Sequence, residues 1–267
     1  MPDMPVREAS AAQQTKLPVI IVVGVLAGFL SGLFGVGGGI LIVPGLVLVA
    51  SMDQRMAHGT SLAAVLPIAA SSMVTYWAHD HIDWPVVLFL AIGAVGGAIL
   101  GTKLLQVLPH RTLGIAFSVL LLASAARLFM ADSGTGRDDL DLLMAVLLVV
   151  VGVVTGVLAG LLGVGGGIIM VPAMMMLFGI PPVIAKGTSL GVIIPTSIMG
   201  TWRNRTKKNV DFRAAAIVGV AGVLAAIAGG TLSARMSDTL SNVLFAVLLT
   251  VVAVRLLRQI RREDKQK

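Results

Sequence analysis

Residues 28–44 read GFLSGLFGVGGGILIVP and residues 156–172 read GVLAGLLGVGGGIIMVP, 12 identities in 17 positions at a constant offset of 128. The same offset pairs Gly59-Thr60-Ser61-Leu62 with Gly187-Thr188-Ser189-Leu190, Pro67 with Pro195, Asp83 with Asp211, and Arg127 with Arg255. No insertion separates the halves, so the chain is a duplicated unit over nearly its whole length.

Composition places that unit in a membrane. The 267 residues are 57% hydrophobic and 12% charged, with a mean hydropathy of +0.96; soluble domains carry roughly 25% charged residues. Apolar segments fall at about 17–50, 59–77, 84–106, 111–130, 140–179, 187–203, 213–234 and 238–257. The expected architecture is an all-α polytopic membrane protein of about eight helical segments in two repeats of four, with spans of about 20 residues. Its parts are a polar N-terminus (1–16), repeat one (17–131), a linker (132–139), repeat two (140–257) and a basic tail (258–267). The apolar run from residue 17 far exceeds a signal-peptide core of about 7–15 residues, so no cleaved leader is expected.

The segment opening each half is too long. Runs of 34 and 40 residues would make helices of about 50–60 Å at roughly 1.5 Å per residue, against a hydrocarbon core of about 30 Å. Each must break or bend, and Gly35-Val36-Gly37-Gly38-Gly39 and Gly163-Val164-Gly165-Gly166-Gly167 are where helix propensity collapses. Pro44 and Pro172 follow the breaks, and Pro67 and Pro195 interrupt the next segments. Upstream, Gly24, Gly28 and Gly32 and their mates Gly152, Gly156 and Gly160 recur every fourth residue, the spacing that lets membrane helices approach closely.

Loop charge bears on topology. The loop at 78–83 (AHDHID) has no Lys or Arg, whereas its mate at 203–211 (RNRTKKNVD) has four. Duplicated loops on one side of a membrane should share a charge bias, and on opposite sides should oppose it. An inverted arrangement of the repeats fits this pattern, with a folded-back first segment giving each half an odd number of crossings. Both termini are then expected on the cytoplasmic side of the cell (inner) membrane. The formal charge of +7 is accounted for by the same rule and not by nucleic acid.

Candidate chemistry follows from the breaks. Gly35 to Gly39 resembles a phosphate loop only loosely, because no Gly-Lys-Ser/Thr follows it. A helix broken at membrane depth leaves backbone groups that must be buried in protein or line a polar cavity, and paired breaks in corresponding repeat positions point to a transporter's binding site. Gly35, Gly37, Gly38, Gly39, Gly163, Gly165, Gly166 and Gly167 are therefore candidate substrate contacts. Thr60, Ser61, Thr188 and Ser189 open the following segments, where their hydroxyls can either cap a helix or donate to a ligand. The plainer alternative for the glycines is a tight turn between two half-helices.

The doubled Gly-Val-Gly-Gly-Gly-xxx-Val-Pro, each followed by Gly-Thr-Ser-Leu and then a loop ending in Val/Ile-Asp, resembles the TauE/SafE sulfite exporter family across about residues 17–257. The resemblance implies a small carrier of sulfite, sulfonates or related organic anions. It also implies roles for the Gly35–Gly39 and Gly163–Gly167 breaks with Pro44 and Pro172, and for Thr60, Ser61, Thr188 and Ser189.

No Asp, Glu, Lys, Arg or His occurs at 17–50, 59–78, 84–102, 142–185 or 187–202. Intramembrane carboxylates mark proton relays and cation sites, so the expected partner is a small anion held by neutral groups, in contact with the lipid bilayer. Lys103, Lys186, Arg203 and Arg205 are candidates for a cationic rim, or for plain snorkelling at span ends. Trp77 and Trp202 are either interfacial anchors or gates. With no cysteine and four histidines lacking ligand spacing, neither a metal nor a cofactor is expected. The expected function is secondary transport, by export or exchange, of sulfite, a sulfonate or another sulfur or carboxylate anion. A channel-like facilitator and a non-transporting assembly factor are the alternatives, and no buried acid, base or metal ligand suggests an enzyme. Substrate, direction, coupling ion and oligomeric state are not encoded in these patterns.

Overall fold

A computed structural model describes residues 6–48, 50–104, 140–163 and 165–264, with scattered positions from 115 to 126. The described residues form nine helices: α1 (Val6–Phe34), α2 (Gly39–Leu48), α3 (Gln54–Trp77), α4 (Trp84–Leu104), α5 (Leu142–Leu162), α6 (Gly167–Phe178), α7 (Pro182–Thr206), α8 (Phe212–Arg235) and α9 (Asp238–Asp264). Among the described residues six stretches are long and apolar enough to cross a membrane: Leu17–Phe34, Gln54–Trp77, Trp84–Gly101, Leu142–Gly160, Pro182–Thr206 and Phe212–Arg235. The shorter apolar helices are Gly39–Leu48, Gly167–Phe178 and Thr239–Arg255. The expected segment at 111–130 lies mostly outside the described residues.

Both overlong segments break at their glycines. α1 stops at Phe34 and α2 starts at Gly39; α5 stops at Leu162 and α6 starts at Gly167. Gly35, Gly37 and Gly38, and their mates Gly163, Gly165 and Gly166, all have φ between 66° and 83°. That left-handed region costs an L-residue about 1–2 kcal/mol, which is why both turns are written in glycine. The first short helix, α2, doubles back along α1. A Cβ at Gly38 would lie 2.6 Å from the Ala27 carbonyl oxygen, and one at Gly45 would lie 2.7 Å from a Val23 methyl. Contacts that move forward along α2 therefore move backward along α1. Pro44 and Pro172 lie inside α2 and α6, past the breaks, and Pro67 and Pro195 lie inside α3 and α7, which continue through them.

Helices of one repeat pack on helices of the other. α1 lies along α8: Gly24, Gly28 and Gly32 meet Val218, Gly222 and Ala226, and a Cβ at Gly28 would sit 2.1 Å from the Gly222 carbonyl oxygen. The mate of this contact sets α5 along α4, with Gly152 and Gly156 against Leu90 and Ala94. In lipid no hydrophobic force drives helices together, so backbone approach across small residues supplies the dispersion contacts that do.

The direction of the helices follows from the same contacts. α3 and α7 run antiparallel, since Gly59 meets Asn204, Leu62 meets Gly200 and Tyr76 meets Gly187. α1 and α3 both run parallel to α8, while α4 runs parallel to both α5 and α7. Corresponding helices of the two repeats thus point in opposite directions, the geometry expected of inverted repeats.

Candidate functional site

The two breaks meet close to the midpoints of α3 and α7. Gly37 and Gly165 both face Val65 and Ile193, residues that are themselves separated by the repeat offset. A Cβ at Gly167 would lie 2.7 Å from the Gly35 carbonyl oxygen and 2.9 Å from Val36 Cα. Gly35 to Gly39, Gly163 and Gly165 to Gly167 are all buried. This satisfies the requirement that irregular backbone at membrane depth be enclosed by protein.

Two helix N-termini converge there. α2 begins at Gly39 and α6 at Gly167, and the first N–H groups of any helix lack an intrahelical acceptor. Among the described residues no backbone carbonyl accepts from the N–H of Gly37, Gly38, Gly165 or Gly166. Each helix start also carries about half a positive charge from its aligned peptide dipoles. Buried donors and two positive helix ends brought next to each other suit an anion.

The Gly-Thr-Ser-Leu motifs hold the breaks from across the repeat boundary. Ser189 Oγ shares its one proton between the Gly35 carbonyl at 2.5 Å and the Lys186 carbonyl at 2.7 Å, and Ser61 Oγ donates to the Gly163 carbonyl at 3.1 Å. Thr188 Oγ1 accepts from the Asp83 N–H at 3.0 Å, and Thr60 Oγ1 from the Asp211 N–H at 2.9 Å. Asp83 and Asp211 in turn accept from the first-turn N–H groups of α4 and α8. The capping role considered for these four hydroxyl residues is corrected. α3 begins at Gln54 behind its cap Asp53, and α7 begins at Pro182, so all four sit in the second turn. Apolar periodicity starts at Gly59 and Gly187, but the helices start upstream in polar or Pro-rich sequence that periodicity does not register.

Lys186 is not at the rim. It is 1% exposed, its ammonium donates to Ser233 Oγ at 3.3 Å and to Ser241 Oγ, and it lies 5.8 Å from the centre of the Phe34 ring. Its backbone abuts Gly35, while its side-chain nitrogen reaches Ser233, Ser241 and the face of Phe34, the last residue before that break. The mate of Lys186 is His58, which packs against Gly163 in the same way. Span-end logic missed the burial because Lys186 follows an apolar run and precedes another, and α7 carries it inside.

Arg203 is partly exposed and Arg205 exposed at the end of α7, as a rim requires. Lys103 lies in the last turn of α4, with its side chain outside the described residues. Trp77 is 57% and Trp202 63% exposed, and Trp77 meets Trp84 edge to face at 5.9 Å. Such exposure matches interfacial anchoring.

Sequence reading also missed two hydroxyls. Ser197 Oγ and Thr201 Oγ1 in α7 are buried without a hydrogen-bond partner among the described residues, an arrangement that costs about 1–3 kcal/mol per group when nothing compensates it.

Comparison with known proteins agrees with this architecture. The sequence model of the family described as Sulfite exporter TauE/SafE matches residues 19–181 and, in an overlapping second match, 148–267. The Bacillus subtilis (strain 168) probable membrane transporter protein YunE is 28% identical over 260 residues, covering 88% of this chain and 94% of the relative. YjnA of the same organism, also named a probable membrane transporter protein, is 26% identical over 252 residues, 89% of this chain and 98% of the relative. The probable membrane transporter protein MJ0441 of Methanocaldococcus jannaschii is 28% identical over 193 residues, 69% of this chain and 70% of the relative.

Proposed function

This chain belongs to the TauE/SafE sulfite exporter family of membrane transporters, and from that premise we propose that it is a secondary transporter of a small anion. The substrate classes are sulfite, sulfonates and short organic sulfur or carboxylate anions, exported or exchanged across the cell membrane, with both termini cytoplasmic.

The observation that carries this reading is the meeting of the α2 and α6 N-termini at the paired glycine breaks. Backbone N–H groups from Gly37 to Gly39 and from Gly165 to Gly167 would bind the anion, at a point enclosed by protein and flanked by the buried Lys186. A site built on two oppositely directed repeats also suits alternating access, in which one repeat rocks against the other around a fixed centre. Ser61, Ser189, Thr60 and Thr188 then act on the anion through the breaks and loops that they hold, and Arg203 and Arg205 gather anions at one mouth.

The test is flux of radiolabelled sulfite, sulfonates and short carboxylates into proteoliposomes containing the purified chain. Saturable anion flux that is accelerated by counter-anion supports the reading. Absence of anion flux from folded protein overturns it, and flux that rises linearly without saturation favours a channel-like facilitator.

A further inference from the structure

We propose that Ser197 and Thr201 line a one-sided polar path along which a small oxyanion reaches the paired breaks from the side of the 203–211 loop. The inference rests on the transport reading and deepens it.

Hydroxyls inside membrane helices ordinarily satisfy themselves by donating to a carbonyl one turn back. In this protein Ser71, Ser72, Thr155, Thr196, Thr231 and Thr250 all do so. Ser197 and Thr201 do not. Ser197 is 0% exposed, and the hydroxyl oxygens of both residues are buried with no partner among the described residues. Two buried hydroxyls left without a partner among the described residues, on one helix, point to a ligand that accepts from them.

Their position says where that ligand would travel. Ile193, Ser197, Thr201 and Arg205 follow one another at four-residue intervals and so form a stripe along α7. Ile193 begins the stripe at the breaks, touching Gly37, Gly165 and Gly167. Arg205 ends it, exposed, at the loop that carries four Lys and Arg residues. An anion drawn to the basic loop meets two free hydroxyl donors before it reaches the helix N-termini.

The path exists on one side only. The mates of this stripe on α3 are Val65, Ala69, Met73 and Trp77, none of which presents a hydroxyl. Because α3 and α7 are antiparallel, these mates lead from the breaks toward the opposite end of the bundle. The two ends of the duplicated unit therefore differ: α7 carries Ser197 and Thr201 where α3 carries Ala69 and Met73.

The chain has no cysteine, so single thiols can be placed without background. Ser197→Cys, Thr201→Cys, Ala69→Cys and Met73→Cys would be reconstituted and treated with a membrane-impermeant charged maleimide from each side in turn, with and without methanesulfonate as the probe anion. Ser197→Cys and Thr201→Cys should react from the 203–211 side, with methanesulfonate slowing the reaction at least threefold, while Ala69→Cys and Met73→Cys stay unlabelled. Failure of both α7 thiols to react, labelling unaffected by methanesulfonate, or comparable labelling of the α3 thiols each overturns the proposal. Flux kinetics give an independent readout. Ser197→Ala combined with Thr201→Val should raise the half-saturating sulfite concentration at least fivefold, whereas Thr196→Val, whose hydroxyl bonds only its own helix, should change it less than twofold. Saturable wild-type flux with an unchanged half-saturation in the double variant overturns the path and leaves the transport reading intact. Absence of wild-type flux sinks the transport reading itself.

Discussion

The Ser189 hydroxyl donates to the carbonyl of Gly35 across 154 positions of sequence, at 2.5 Å. Ser61 makes the mate of this bond to Gly163. Each repeat thus holds the other's broken helix, so the two sites cannot loosen independently of the interface between repeats.

Ser189→Ala strands the buried Gly35 carbonyl, and Ser61→Ala strands that of Gly163. Each should cost about 1–3 kcal/mol and lower the melting temperature in detergent by similar amounts. A large loss at one serine with none at the other would contradict equivalent roles.

Thr60→Val and Thr188→Val remove the acceptors for the Asp211 and Asp83 N–H groups. The expected cost is about 1 kcal/mol each, accompanied by faster hydrogen exchange at the 203–211 loop for Thr60→Val and at the 78–83 loop for Thr188→Val. Exchange unchanged in the partner loop would argue against the cross-repeat bond.

Glycines of the scaffold and of the break should fail differently. A Cβ at Gly28 would lie 2.1 Å from the Gly222 backbone, whereas one at Gly37 would meet only side chains of Val65 and Ile193, at 3.2 Å or more. Gly28→Ala should therefore yield little folded protein, while Gly37→Ala should fold at a cost of about 1–2 kcal/mol from its φ of 77° and lose transport. Gly96, with open space around its Cα, is the control: Gly96→Ala should be neutral or stabilising by about 0.5–1 kcal/mol. Size-exclusion profiles and sulfite flux check all three.

Lys186→Met keeps most of the side-chain volume and removes the nitrogen donor that Ser233 and Ser241 accept from behind the Gly35 break. Anion affinity should fall about tenfold, equivalent to about 1.4 kcal/mol, in protein that still elutes as a single folded species. Sulfite half-saturation measures it, and an unchanged value would make Lys186 purely structural.

Trp77→Phe and Trp202→Phe should retain flux within about twofold, because both indoles are exposed as interfacial anchors are. Loss of flux with normal insertion would restore a gating role.

Much of the architecture was legible because membrane physics leaves a strong mark on sequence. Uninterrupted apolar runs, an offset of 128 and glycine triplets in overlong segments led to helices, repeats and breaks. The fate of individual polar groups was less legible. Thr60 and Ser61 looked like a helix start because the apolar pattern begins there, yet Asp53 is the cap. Lys186 looked interfacial because it separates two apolar runs, yet Ser233 and Ser241 receive it inside the bundle.

By itself, then, the sequence determined that the chain is helical, membrane-embedded and duplicated, and that the overlong segment opening each repeat must give way within Gly35–Gly39 and Gly163–Gly167. These follow from local chemistry: the hydropathy of a span, the propensity of glycine and the length of a helix. Only the tertiary structure decided that Gly35 is held by Ser189 and Gly163 by Ser61, that the α2 and α6 N-termini meet, and that Ser197 and Thr201 lack hydrogen-bond partners among the described residues. Those are relationships between residues more than 100 positions apart or between a side chain and the space before it, and no local pattern specifies which distant backbone a side chain will meet.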